Sequence, residues 1–207
     1  MEDLIAGYRR FRAGTWSREQ ERFEELSRDG QRPKTLVIAC SDSRTDPQMV
    51  FNARPGELFV VRNVANLVPP YGPDLNYHGT SAALEFGVRE LKVGQIVVMG
   101  HAMCGGIDAL LHGGPAAGND FVGNWMHIAD PARIRALEAP AEQRQDVCEH
   151  ESVRLSIDNL MTFPWISEPV AQGKLALHGC FFDIRSGILE RLGADGAFHP
   201  ISVAEMR

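Results

Sequence analysis

Short, unbroken apolar runs constrain this chain most. Thr35-Leu36-Val37-Ile38-Ala39, Leu58-Phe59-Val60-Val61 and Gln95-Ile96-Val97-Val98-Met99 show no alternation of apolar and polar residues inside the run. A strand with one wet face would alternate. A continuous run of this length predicts a strand buried on both faces, as in a parallel sheet. A fourth, longer run spans Lys174 to Asp183. Between the second and third runs, Asn76 to Leu91 reads as an amphipathic helix, with Ala82, Ala83, Phe86, Val88 and Leu91 on one side. Gly94 falls where a C-terminal cap is expected. Gly105 to Leu111 begins another helix, which Gly113-Gly114-Pro115 stops, and residues 120–138 and 142–162 read as two more, parted around Pro140. Strands alternating with helices predict an α/β fold. Its sheet is expected to be mainly parallel, with four to five strands flanked by helices.

Residues 2–29 precede this pattern and read as helical. Leu4, Ile5, Tyr8, Phe11, Trp16, Phe23 and Leu26 recur at helix-like spacings, and Gly14 divides the stretch in two. These apolar faces are too extensive for a free arm, so residues 1–30 are expected to dock on another surface. No internal repeat or low-complexity linker interrupts the chain, and 1–207 is read as a single domain.

The bulk numbers exclude some classes of function. A chain of 207 residues buries a core without disulfides. The formal charge of −6 gives no electrostatic reason for a nucleic-acid partner or an anionic membrane. No apolar run approaches the roughly 18 residues of a membrane span. No basic region precedes an apolar stretch near Met1, so no secretory leader is expected and the location inferred is cytoplasmic. Four cysteines do not make a disulfide framework. Cys148 and Cys180 read as buried, inert thiols in a reducing compartment.

The other two cysteines lie in runs with chemistry. Ala39-Cys40-Ser41-Asp42-Ser43-Arg44 follows the first strand, and Gly100-His101-Ala102-Met103-Cys104-Gly105-Gly106 follows the third. Cys40, His101 and Cys104 are three ligands for a tetrahedral zinc that takes four, which is the pattern of a catalytic rather than a closed structural site. Both runs stand at carboxyl ends of strands, where open α/β sheets bind ligands. Asp42, two residues past Cys40, is the candidate to control the fourth position. Asp46-Pro47 reads as a helix cap with proline at the first helical position, which leaves Asp42 free for that role.

These two runs, with Val60-Val61-Arg62-Asn63-Val64-Ala65-Asn66, Gly79-x-x-Ala82-Ala83-Leu84-Glu85-Phe86 and Leu177-His178-Gly179 to Asp183-Ile184, closely resemble the β-class carbonic anhydrases. The resemblance extends from about Gln31 to Leu189. It implies one zinc per chain on Cys40, His101 and Cys104, beside an Asp42–Arg44 dyad, with Asp42 a possible fourth ligand in a closed state. It implies a glycine, Gly105, whose backbone N–H faces substrate. Gln31, Phe59 and Val64 match pocket positions that the family often draws from the partner subunit. Phe86 stands where plant-type members carry Tyr. Members with a non-catalytic bicarbonate site carry Trp three residues before the first zinc cysteine. Val37 stands there in this chain, and with Gln31 it points to the plant-like subtype with an open zinc.

The function implied is reversible hydration of carbon dioxide to bicarbonate and a proton by a zinc-activated hydroxide that Asp42 orients and Arg44 holds clear of the metal. Zinc with two thiolates and a neutral imidazole carries no net charge, so activity is expected to rise through and above neutral pH. His78 is a further candidate, as a proton acceptor near the mouth. A homodimer or tetramer is implied, with the N-terminal arm wrapped on the partner. Two alternatives stand beside this reading: a related zinc hydrolase of carbonyl sulfide or carbon disulfide, and a non-enzymatic zinc-binding module.

Overall fold

The computed structural model of the chain describes residues 1–113 and 120–202. Strands β1 (Thr35–Cys40), β2 (Leu58–Asn63), β3 (Gln95–His101), β4 (Ala176–Asp183), β5 (Ile188–Leu192) and β6 (Phe198–Pro200) form one sheet in the order β2-β1-β3-β4-β5-β6. The first four run parallel, and β5 and β6 return antiparallel. The apolar runs thus form the parallel part, as their lack of alternation predicts.

The last two strands extend the sheet beyond the four to five expected. Both are short and flanked by Gly187, Gly193 and Gly196, β5 carries Glu190 and Arg191, and they gain their strand character from pairing, β5 with β4 and β6 with β5. The strand expected from Lys174 starts at Ala176.

The helices are α1 (Glu2–Phe11), α2 (Ser17–Asp29), α3 (Pro47–Val50), α4 (Gly79–Glu85), α5 (Gly105–His112), α6 (Val122–Met126), α7 (Asp130–Leu137), α8 (Arg144–Leu160) and α9 (Pro164–Ala171). Gly14 sits inside a widened turn, Arg12–Trp16, that joins α1 to α2. The helix expected over Asn76–Leu91 begins only at Gly79, because Asp74 turns the preceding segment by accepting from the Asn76 N–H. Past it, the left-handed backbone falls on Lys92 (φ 57°) and not on Gly94. Gly113 ends α5 in the left-handed region (φ 66°), as expected, whereas Gly114 and Pro115 lie outside the described residues. Helix α9 was hidden from periodicity by Pro164 and Pro169. Asp46 caps α3, its carboxylate accepting from the N–H groups of Gln48 and Met49, with Pro47 at the first position.

One face of the sheet carries the main core. There Leu36, Ile38, Ile96 and Val98 meet Leu84 of α4, Val153 and Leu160 of α8 and Ile166 of α9. The other face is smaller, with Val37, Ala39, Val97, Met99 and Cys180 against Val50 and Phe51. A third cluster, under α5 to α8 at the carboxyl end of the strands, contains Cys40, Cys104, Ile107 and Met126. Gly100 sets how closely α8 approaches the sheet, since a Cβ there would lie 2.5 Å from Val153 Cγ2. Among the described residues no helix is long and apolar enough to cross a membrane.

Candidate metal centre

Two adjacent strand ends build the site. β1 and β3 pair in parallel with Ala39 opposite Met99, so the chain leaves both at one edge of the sheet. Cys40 is the last residue of β1, His101 the last of β3, and Cys104 precedes the first turn of α5. Their ligand atoms lie within 4.8 Å of one another, and all three residues are buried. A tetrahedral zinc with sulfur at about 2.3 Å separates two sulfurs by roughly 3.8 Å. The cluster has the size the ion requires.

The chemistry of the donors agrees. His101 Nδ1 lies 2.9 Å from the carbonyl oxygen of Ala102, so that nitrogen carries the proton and Nε2 is bare. Nε2 is buried with no hydrogen-bond partner. A buried, unsatisfied polar atom costs about 1–3 kcal/mol, and a cation between the sulfurs and this nitrogen removes that cost. The two buried sulfurs act on each other, holding the Cys40 thiol low and pushing the Cys104 thiol up, and such a pair suits a dication that accepts soft ligands. These residues fit zinc.

Asp42 stands outside the three-atom cluster. Arg44 holds it with three bonds: its backbone N–H and Nε each donate to Oδ1 at 2.9 Å, and Nη2 donates to Oδ2 at 2.7 Å. The guanidinium keeps the carboxyl well below the usual carboxylate range. Nη2 also donates to the Met103 carbonyl at 3.1 Å, tying the β1 loop to the β3 loop.

The remaining expected pocket residues are not all gathered in one place. Val64 lines a cavity of about 680 Å³ with Ser41, Asn63, His78 and Trp125. Gly105 begins α5, and a Cβ there would meet nothing within 4 Å. Phe59 pairs with Leu36, four residues down the strand from Cys40, or roughly 13 Å at the rise of a strand. It stacks near Phe86, the ring centroids 5.9 Å apart. Gln31 is exposed in a separate recess under α2. His78 bonds through Nε2 to Asp74 Oδ1 at 2.7 Å, which draws Asp74 down to about 2. Cys148 and Cys180 are buried free thiols, and burial pushes them up to about 12 and about 11.

Sequence reasoning missed three supports of the site. Arg62 donates to the carbonyls of Cys40 (2.9 Å) and Asp42 (2.6 Å) and to Asp46 Oδ2 (2.8 Å), bracing the whole β1–α3 loop. Glu149, 3% exposed, accepts from the Cys104 N–H at 2.8 Å, and burial pushes its carboxyl up. Gln145 Nε2 donates to the Cys104 carbonyl at 3.2 Å. A signal for Glu149 existed: it lies on the buried stripe Cys148, Ser152, Val153, Ser156, Leu160 of α8, where a carboxyl group has no packing reason to be.

The family described as "Carbonic anhydrase" matches residues 35–189. A carbonic anhydrase of Pseudomonas aeruginosa is 40% identical over 209 aligned residues, spanning 99% of this chain and 93% of that protein. The chloroplastic beta carbonic anhydrase 5 of Arabidopsis thaliana is 37% identical, spanning 95% of this chain and 66% of that protein. The solved β-carbonic anhydrase CcaA superposes with a TM-score of 0.90 at 34% identity, covering 98% of this chain and 92% of that one. One of two tetrameric β-carbonic anhydrases of Sordaria macrospora superposes at 0.81 with 31% identity, covering 93% and 96%.

Proposed function

Because the chain belongs to the carbonic anhydrase family, in its β-class, we propose that it hydrates carbon dioxide reversibly to bicarbonate and a proton, using one zinc held by Cys40, His101 and Cys104. The observation that carries the reading is the meeting of three buried ligand atoms, one a bare imidazole nitrogen, beside a carboxylate fixed by an arginine. Membership in a family of enzymes removes the reading as a non-catalytic zinc module.

When bound, zinc supplies a water acidic enough to serve as nucleophile near neutral pH. The rest is done by side chains. Asp42, ionised, can only accept hydrogen bonds, and a carboxylate has about four lone-pair sites. Arg44 fills both on Oδ1 and one on Oδ2, leaving one on Oδ2 for the proton of the nucleophile. Accepting it there turns the nucleophile's lone pair toward the carbon of the substrate. The bidentate grip of Arg44 also keeps Asp42 from swinging in as a fourth ligand. Gly105 offers open space and a backbone N–H to a substrate oxygen, and Val64 an apolar wall. His78, in the cavity that Val64 and Ser41 line and paired to Asp74, accepts the departing proton.

Gln31, Phe59 and Phe86 serve the pocket of a second copy, within a homodimer or tetramer whose arms, residues 1–30, lie on the partner. The exposed Leu4 and Tyr8 of α1, which buries no residue, support that arrangement. We read 1–207 as one domain on that basis. Four free thiols support a reducing compartment, the cytoplasm.

Stopped-flow hydration of carbon dioxide across pH, with zinc quantified and carbonyl sulfide and carbon disulfide hydrolysis assayed beside it, tests the proposal. One zinc per chain and hydration far above the buffer rate are expected. A zinc-loaded protein that turns over only carbonyl sulfide or carbon disulfide would overturn the substrate.

A further inference from the structure

Cys104 stands between a strained loop and the first turn of α5, whose Asp108 N–H donates to its carbonyl at 3.0 Å. Its neighbour Met103 holds a left-handed backbone (φ 58°), which a residue with a Cβ rarely adopts and which strains the loop. Cys104 follows directly, so the angle at which its sulfur meets the site depends on what restrains this loop from outside. Three contacts do so. Arg44 takes the Met103 carbonyl, and two residues of α8 take the two sides of Cys104.

The α8 contact is built with care. Glu149 accepts from the Cys104 N–H at 2.8 Å, and Gln145, one turn earlier, donates to the Cys104 carbonyl at 3.2 Å. Gln145 also donates to Glu149 Oε1 at 2.5 Å, so the two side chains orient each other. Both polar groups of one peptide-linked residue are thereby held by a rigid helix of 17 residues. That helix can come this close because Gly100 and Gly179 present no side chains beneath Val153. A carboxyl group and an amide on the inner side of a helix are expensive unless used. Core packing supplies no reason for either.

We propose that Gln145 and Glu149 form a clamp on the backbone of Cys104 that sets how tightly the site holds zinc. The inference rests on the zinc assignment above. Glu149 is a positioning residue. It acts through an accepted hydrogen bond, and its partner Gln145 fixes both the bond and the carbonyl on the far side. Partners of this kind typically change metal affinity ten- to a hundred-fold.

The test compares zinc dissociation constants, by competition with a chelator, for the wild-type protein and for Glu149→Ala, Glu149→Gln and Gln145→Ala, each checked for native circular dichroism. Cobalt-substituted samples give the cobalt–thiolate absorption as a second readout. Glu149→Ala is expected to bind zinc ten- to a hundred-fold more weakly and to shift the cobalt–thiolate bands. Glu149→Gln, whose carbonyl still accepts from Cys104, is expected to recover most of the affinity. Gln145→Ala is expected to show a smaller loss in the same direction, and it decides the matter if Glu149→Ala does not fold. Folded alanine variants with wild-type affinity and unshifted bands would overturn the clamp. So would a glutamine variant no better than alanine. A wild-type protein that binds no zinc would instead overturn the assignment on which the clamp rests.

Discussion

At Asp42 and Arg44, exposure decides what kind of interaction the pair is. The arginine side chain is 49% exposed and the aspartate 18%. Ion pairs so placed contribute little to stability, so the pair matters for position rather than folding. Asp42→Asn is therefore expected to keep zinc and fold while losing two or more orders of magnitude in hydration rate, the range of a positioned proton-transfer group. Stopped-flow rates with zinc quantified in the same sample check this. The same arginine sets how the site responds to pH. Arg44 lowers the folded pKa of Asp42, so the stabilisation it gives is present above the unfolded value and is lost only as pH falls through the folded one. In Arg44→Ala that contribution disappears, and hydration should fall at every pH with zinc retained, because nothing holds Asp42 off the metal; what activity remains should be lost as Asp42 protonates near pH ~4, the ordinary range for aspartate. His78→Ala should lower kcat much more than kcat/KM, and added imidazole should restore it; a loss confined to kcat/KM would remove His78 from the proton path.

At the scale of elements, what could be read from sequence depended on how much each element relies on itself. The parallel strands declared themselves because burial on both faces demands unbroken apolar runs. Cys40, His101 and Cys104 were legible because two lie on strand ends and the third follows within a turn. β5 and β6 were not, because residues such as Glu190 and Arg191 form a strand only through pairing with β4, and β6 only through pairing with β5. Glu149 escaped for a similar reason. Its partner, Cys104, is far away in sequence and is met only when α8 lies across β3. Gly106 offers an elemental test. A Cβ there would meet Val64 Cγ1 at 2.9 Å and Ala65 Cβ at 3.3 Å. Gly106→Ala should push the start of α5 away from the turn after β2, lowering both zinc content and activity while leaving the main core intact. A variant with full activity would show that this close approach is dispensable.

Over the whole molecule, the thiols and the arm make the clearest statements. Cys148 and Cys180, raised to about 12 and about 11 by burial, carry no thiolate at neutral pH, and the other two are engaged in the site. A thiol-specific reagent should label none of the four in the zinc-loaded protein and, after chelation, should reach Cys40 and Cys104 before Cys148 and Cys180, whose thiols burial pushes up. The arm joins the body through α2, where Arg54 bonds Glu19 and Arg22 reaches the Pro55 carbonyl. α1 beyond it leaves Ile5 and Tyr8 open to solvent.

The site is divided between β1 and β3, and this ties the metal to the folding reaction. An unfolded chain keeps only His101 and Cys104 as near neighbours, a pair too sparse to compete, whereas the third ligand arrives when the two central strands pair. Zinc should therefore select the native ensemble and act as a thermodynamic latch on the middle of the sheet, raising the melting temperature in proportion to the logarithm of its free concentration.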